Sequence, residues 1–123
     1  MGYKLNLENM NLALNELKKT YKIYAPKVFE GAGTFSDTDR VRYGEIESIE
    51  EIEFDKKSSF SYKETILPTR QTLFFFTEDE CKEAEVDERP ALIFLRSCEI
   101  HSLKRIDDIY LRNGFEDIYY KKM

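Results

Sequence analysis

Apolar and polar positions change period along the chain, and the changes mark elements. From Leu7 to Lys19 the residues Met10, Ala13, Leu14, Leu17 and then Tyr21 recur at three- and four-residue intervals. With Asn6 placed to cap the first turn, this predicts an amphipathic opening helix. "YKIYAP", Tyr21 to Pro26, alternates apolar and polar residues and stops at a proline, which predicts a short strand over Tyr21 to Ala25. A loop punctuated by Gly31, Gly33, Ser36, Asp37 and Asp39 then leads to a second short strand at Val41 to Tyr43. "ESIEEIEFDKKSSF" is acidic and then basic, with Ile49, Ile52 and Phe54 as its apolar content, and reads as a solvated connection. Ser61 is a cap for one or two helical turns that halt before Pro68. Leu73 to Phe76 is a dense aromatic run, either a buried strand or the inner face of a short helix. "CKEAEVDERP" after it reads as a charged surface excursion containing Cys81.

The cleanest unit follows. "ALIFL", Ala91 to Leu95, is a continuous apolar run of strand length, and a sharp turn then opens a long amphipathic helix starting near Cys98. Ile100, Leu103, Ile106, Ile109 and Tyr110 are assigned to its buried stripe, Lys104, Arg105, Asp107 and Asp108 to its outer face, and Asn113-Gly114 to its end. "FEDIYYKKM" begins a further element and stops. A strand-helix unit normally feeds another parallel strand, so the chain is expected to be a fragment of a longer protein. The predicted fold is a single small α/β domain with a mixed sheet flanked by helices, ending in a strand-turn-helix unit.

Composition narrows the class. At 123 residues there is room for one core, and 41% hydrophobic with 35% charged residues describes a folded globular chain. Nineteen basic against twenty-four acidic residues give a net charge of −5, which argues against a nucleic-acid partner. No apolar segment approaches the ~20 residues of a membrane span, and "MGYKLNLENM" has no signal-peptide core. Asn6 stands where a myristoylation motif wants Ser or Thr. The expected location is the cytoplasm. Two cysteines at unrelated spacing, Cys81 and Cys98, make no disulfide framework.

Candidate chemistry gathers at "LRSCEIHSL", Leu95 to Leu103, which holds Cys98 and the single histidine, His101. A thiol at a helix start sits where unpaired N-H groups and the helix dipole favour the thiolate. His101 lies about one turn further on, so the two can share a face. Three readings stay open. One is a packed turn; one is a contribution to a metal or cluster site, which needs four ligands in all. The third is a stand-alone thiol enzyme with Cys98 as nucleophile, His101 as base, and Glu99 or Asp107 orienting the imidazole. Elsewhere, "GAG" at Gly31 to Gly33 lacks the third glycine and following helix of a dinucleotide loop and the Gly-Lys-Ser/Thr of a P-loop, so it reads as an ordinary loop. Asp37, Asp39 and Arg40 read as a cation site or, the commoner fate of such residues, a loop brace through an Asp-Arg pair. Lys63 and Arg70 are solvated charges or partner contacts, and Phe74 to Phe76 are core or a docking patch.

Several of these stretches point to a family. "YKIYAPKVFEG", "FSDTDRVRYGEI", "KETILPTRQTLFFFT" and "ALIFLRSCEIHSLKRIDDIYLRNG" together closely resemble the N-terminal region of the iron-sulfur, electron-transfer component of anaerobic sulfite reductase. More distantly, the Leu-Pro segment and the Arg-x-Cys-acidic turn are similar to beta subunits of sulfhydrogenases. The resemblance implies an electron-carrying subunit with ferredoxin-type 4Fe-4S clusters, in a cytoplasmic complex that reduces sulfite to sulfide with NADH. The partners it implies are the flavin-binding and sirohaem subunits of that complex. The family's Cys-x-x-Cys-x-x-Cys runs lie toward its C-terminal part and none is present here. By this resemblance Arg96, Cys98 and Glu99 carry the Arg-x-Cys-acidic pattern, Cys98 being a cluster ligand or neighbour in the intact subunit. This domain itself is then a scaffold that docks partner subunits, with no cofactor of its own and no catalysis alone. A protein-binding module without redox work is the remaining alternative.

Overall fold

A computed structural model describes residues 1–35 and 37–122; Ser36, counted above among the loop formers, lies outside the described residues. Helix α1 (Leu7–Leu17) starts where Asn6 Oδ1 accepts the Asn9 amide at 2.8 Å, satisfying a donor that the first turn leaves without a partner. Strands β1 (Lys22–Phe29), β2 (Arg40–Glu45) and β5 (Ala91–Ile93) form a mixed sheet in the order β2-β1-β5. β1 pairs antiparallel with β2, from Tyr24 opposite Glu45 to Phe29 opposite Arg40, and parallel with β5, from Lys22 opposite Ala91 to Tyr24 opposite Ile93.

β1 continues through Pro26, where the sequence predicted a stop. The Lys22 amide donates to Pro90 O and the Phe94 amide to Tyr24 O, so the peptide groups of even-numbered β1 residues face β5. Pro26 is in that phase but beyond the end of β5, and its carbonyl accepts the Glu53 amide at 2.8 Å. The missing proline N-H therefore removes no ladder bond.

Alternation along the sheet sorts two cores onto its two faces. One holds Ile23 and Ala25 with Leu14 of α1 and Ile46, Ile49 and Ile52. The other holds Tyr43 with Tyr62, Ile66 of α2 (Lys63–Ile66) and Ile106 of α3 (Ser97–Arg112). The architecture is thus a small mixed sheet with helices on both faces. No helix among the described residues is long and apolar enough to cross a membrane.

Several expectations are corrected. The stretch after β2 is no solvated connection: it forms a 3-10 turn (Ile49–Glu51), and the three-residue spacing of Ile46, Ile49 and Ile52 matches that turn and buries all three. The aromatic run is a strand, β3 (Phe74–Phe76), but an exposed one, and the excursion after it contains its partner β4 (Cys81–Glu83) in a separate two-stranded hairpin. On α3, Ile106 is buried with Leu103 and Tyr110 packed beside it, whereas Ile100 and Ile109 are 58% and 59% exposed. Three-residue steps drift by about 60° each around a helix, so the 100-103-106-109 series winds off the buried face. Asp107 does not face away; it accepts the Tyr120 hydroxyl at 2.6 Å. Asp39 and Arg40 brace the loop without pairing: Asp39 accepts the Gly31 amide, and Arg40 donates to Thr34 and lies 5.5 Å from the Phe60 ring.

α3 is capped by Asn113 and followed by Gly114, whose φ of +96° is the left-handed conformation a side chain resists. The residues that follow do not enter the sheet. Asp117 accepts the amides of Tyr119 and Tyr120, starting the short helix α4 (Ile118–Lys122), and Tyr120 stacks on Tyr110 with ring centroids 5.0 Å apart. Burial, the hydrogen bond to Asp107 and its charge push the Tyr120 phenol well above the usual tyrosine range.

The Gly31 to Gly33 loop is ordinary but tightly closed. A Cβ on Gly33 would lie 2.6 Å from the Thr38 carbonyl, which itself accepts the Gly33 amide at 2.8 Å. Gly33→Ala is expected to open the β1-β2 loop at a cost of about 2 kcal/mol, read as a lowered thermal midpoint. An unchanged midpoint would show that the loop yields freely.

Candidate functional site

β5 ends at Ile93, and Phe94 and Leu95 carry the chain to Arg96, the residue before the first turn of α3. Glu99, at the third helical position, reaches back so that its Oε2 accepts the Arg96 amide at 2.9 Å. This satisfies a first-turn donor and puts a carboxylate at the positive end of the helix. The Tyr43 hydroxyl, from β2, lies 3.2 Å from the same Oε2 and 3.2 Å from Phe94 O. Behind it the Tyr62 hydroxyl meets Ser102 Oγ at 2.5 Å, and Ser102 Oγ donates to the Glu99 carbonyl at 2.7 Å. The two tyrosine rings meet edge to face with centroids 6.4 Å apart.

Two tyrosines from two elements thus clamp the first turn of α3 from beneath, one through the Glu99 side chain and one through its backbone. Burial, then the Glu99 charge and hydrogen bond, push the Tyr43 phenol up to about 12. It holds its proton and acts as a donor at neutral pH.

The sequence-predicted residues sit around this clamp with different fates. Glu99 is half-buried inside it; Arg96, Cys98 and His101 are exposed. Cys98 lines a cleft of about 280 Å³ together with Tyr43, Arg96, Glu99, Lys57, Ser58 and Phe60. Neither carboxylate considered for orienting His101 is free to do so alone: Glu99 accepts from Tyr43 and Arg96, and Asp107 from Tyr120. Cys81 stands on β4, in the separate hairpin.

A 4Fe-4S cluster requires four thiolates or close equivalents. The chain has two cysteines, on different elements, and among the described residues no group of three or more His, Cys, Asp or Glu is placed to hold a metal ion. The residues present do not fit a cluster.

Sequence reasoning missed Tyr43 and Tyr62. Tyr43 lay inside a predicted strand and Tyr62 just after a predicted cap, and neither position carries a local mark of its partner 37 to 56 residues away. The one legible signal was Glu99 three residues after Arg96, the spacing of a carboxylate that reaches back to a helix start.

Fold and site together define a small α/β domain that presents an exposed thiol on a clamped helix start. No family model matches the chain, and no solved structure matches it. It is similar to Sulfhydrogenase 2 subunit beta of Pyrococcus furiosus, with 29% identity over 126 residues, covering 97% of this chain and 33% of that protein. The chain spans about a third of the length of the curated relative it matches.

Proposed function

We propose that this chain is the N-terminal scaffold and docking domain of an electron-transfer subunit in a multi-subunit oxidoreductase. The observation that carries the reading is the similarity, over nearly the whole chain, to a sulfhydrogenase beta subunit. The resemblance to the N-terminal region of the iron-sulfur component of anaerobic sulfite reductase favours a cytoplasmic complex that reduces sulfite to sulfide with NADH, with flavin-binding and sirohaem subunits as partners. In this reading the 4Fe-4S clusters belong to polypeptide outside these residues. The clamped turn then sets the position of Cys98 at the boundary with that cluster-bearing part, as a neighbour or a contributor of one ligand.

The relative's own name supports a second reading, in which the complex is of sulfhydrogenase type. Purification of the native assembly through a tag on this chain, followed by activity assay, separates the two. Sulfite-dependent NADH oxidation with sulfide formed is expected; hydrogen-dependent reduction without sulfite turnover would favour the second reading. Recovery of the chain without redox partners would overturn both.

A further inference from the structure

We propose that the β3-β4 hairpin is a docking arm for a protein surface that is apolar at its centre and rimmed by lysine and arginine. The proposal rests on the function proposed above, and takes that surface to belong to another subunit of the same assembly.

The hairpin pairs only with itself: β3 and β4 form their own two-stranded sheet, joined by a tight turn in which the Thr77 amide donates to Glu80 O at 2.8 Å. Phe74, Phe75 and Phe76 are 52%, 61% and 81% exposed. Three consecutive phenylalanines so placed leave on the order of 400 Å² of aromatic surface in water, divided between the two faces of the hairpin. The register puts Phe75 and Lys82 on one face and Phe74 and Phe76, with Glu83 and Cys81, on the other. Both faces therefore offer aromatic surface.

Charge selects the occupant. Residues 77–88 carry seven carboxylates against Lys82, a net −6, whereas the whole chain is −5, so the rest of the molecule sums to +1. Asp87 is already matched by Arg89 at 2.8 Å, and Glu88 lies 3.7 Å from Lys122. Among the described residues Glu78, Asp79, Glu80, Glu83 and Glu85 have no cation within ion-pair distance. A second copy would bring −6 against −6, and anionic lipid or nucleic acid would be repelled in the same way. Beside Phe75 a cleft of about 520 Å³ is lined by Lys82, Ala84 and Val86 together with Glu83, Glu85 and Asp87. Its apolar wall of Phe75, Ala84 and Val86 suits the stem of a lysine or arginine side chain.

The test uses the native assembly, recovered through a tag on this chain and treated with a carbodiimide that joins carboxylates to lysines in contact. Glu78, Asp79, Glu80, Glu83 or Glu85 is expected to become linked to lysines of one partner subunit. Phe75→Ser with Phe76→Ser should weaken partner retention about thirtyfold, the loss typical of truncated aromatic anchors. Glu78→Lys with Glu80→Lys should weaken it and flatten its salt dependence. The hairpin lies outside both cores, so each variant should keep the parent's thermal midpoint, which serves as the folding control. Full retention by both variants with no hairpin cross-links overturns the docking arm and leaves the proposed function standing. Hairpin cross-links within an assembly that contains no redox subunit support the arm and overturn the proposed function. A chain recovered alone overturns both.

Discussion

Replacing Tyr62 with alanine is expected to lower the unfolding free energy by about 4 kcal/mol, within the range of large aromatic deletions from cores. Tyr62 is 1% exposed and sits at the centre of the second core, in contact with β2, α2 and α3. Its removal leaves a cavity between the sheet and α3 and takes away the hydroxyl beneath Glu99 and Ser102. Tyr62→Phe separates the two contributions. It keeps the ring and loses only the hydrogen bond, and is expected to cost about 1 kcal/mol. Urea midpoints at unchanged slope provide the measurement. A loss below ~1.5 kcal/mol for Tyr62→Ala would mean that α3 is held mainly by its other contacts and that the clamp is not what fixes the turn.

Glu99→Ala is expected to cost about 2 kcal/mol, because it removes a carboxylate from the helix start, leaves the Arg96 amide without its acceptor and leaves the Tyr43 hydroxyl with Phe94 O alone. Alkaline behaviour gives an independent readout. The folded Tyr43 pKa of about 12 lies above the ordinary value of 10.0, so the folded state keeps a proton that the unfolded state releases. Stability from this group is fully present below pH 10 and is lost as pH rises toward 12. Without the Glu99 charge and hydrogen bond the folded value should fall, although burial still holds it above 10, and the alkaline loss should become shallower. Tyrosinate absorbance and denaturation across that range check both statements. An identical alkaline slope in the two proteins would show that Glu99 does not govern Tyr43.

Local signals carried the sequence as far as local physics reaches. The Asn6 cap, the short α2 behind Ser61, the βα unit at Ala91 and the glycine end of α3 are each written within a few residues, and the mixed α/β class follows from them. The errors arose where the third dimension decided. Nothing near Phe74 to Phe76 tells an exposed hairpin from a core strand, because the run is equally apolar in both. Pro26 is tolerated only because β5 is short. The isoleucines at 46, 49 and 52 were legible as a three-residue repeat and were outweighed by the charges between them. At the site, the acidic residue after Cys98 was visible, while the tyrosines that clamp it come from distant segments and were not.

What matters most for function is whether this domain positions Cys98 without itself holding a cluster. The most direct test is anaerobic reconstitution of the purified chain with iron and sulfide, followed by desalting, iron analysis and absorbance, beside a Cys98→Ala control. A scaffold of this kind should show the same residual iron in both proteins and no cluster absorbance. Iron retained in proportion to protein and lost with Cys98 would contradict it, and would make the clamped turn a cluster site in its own right.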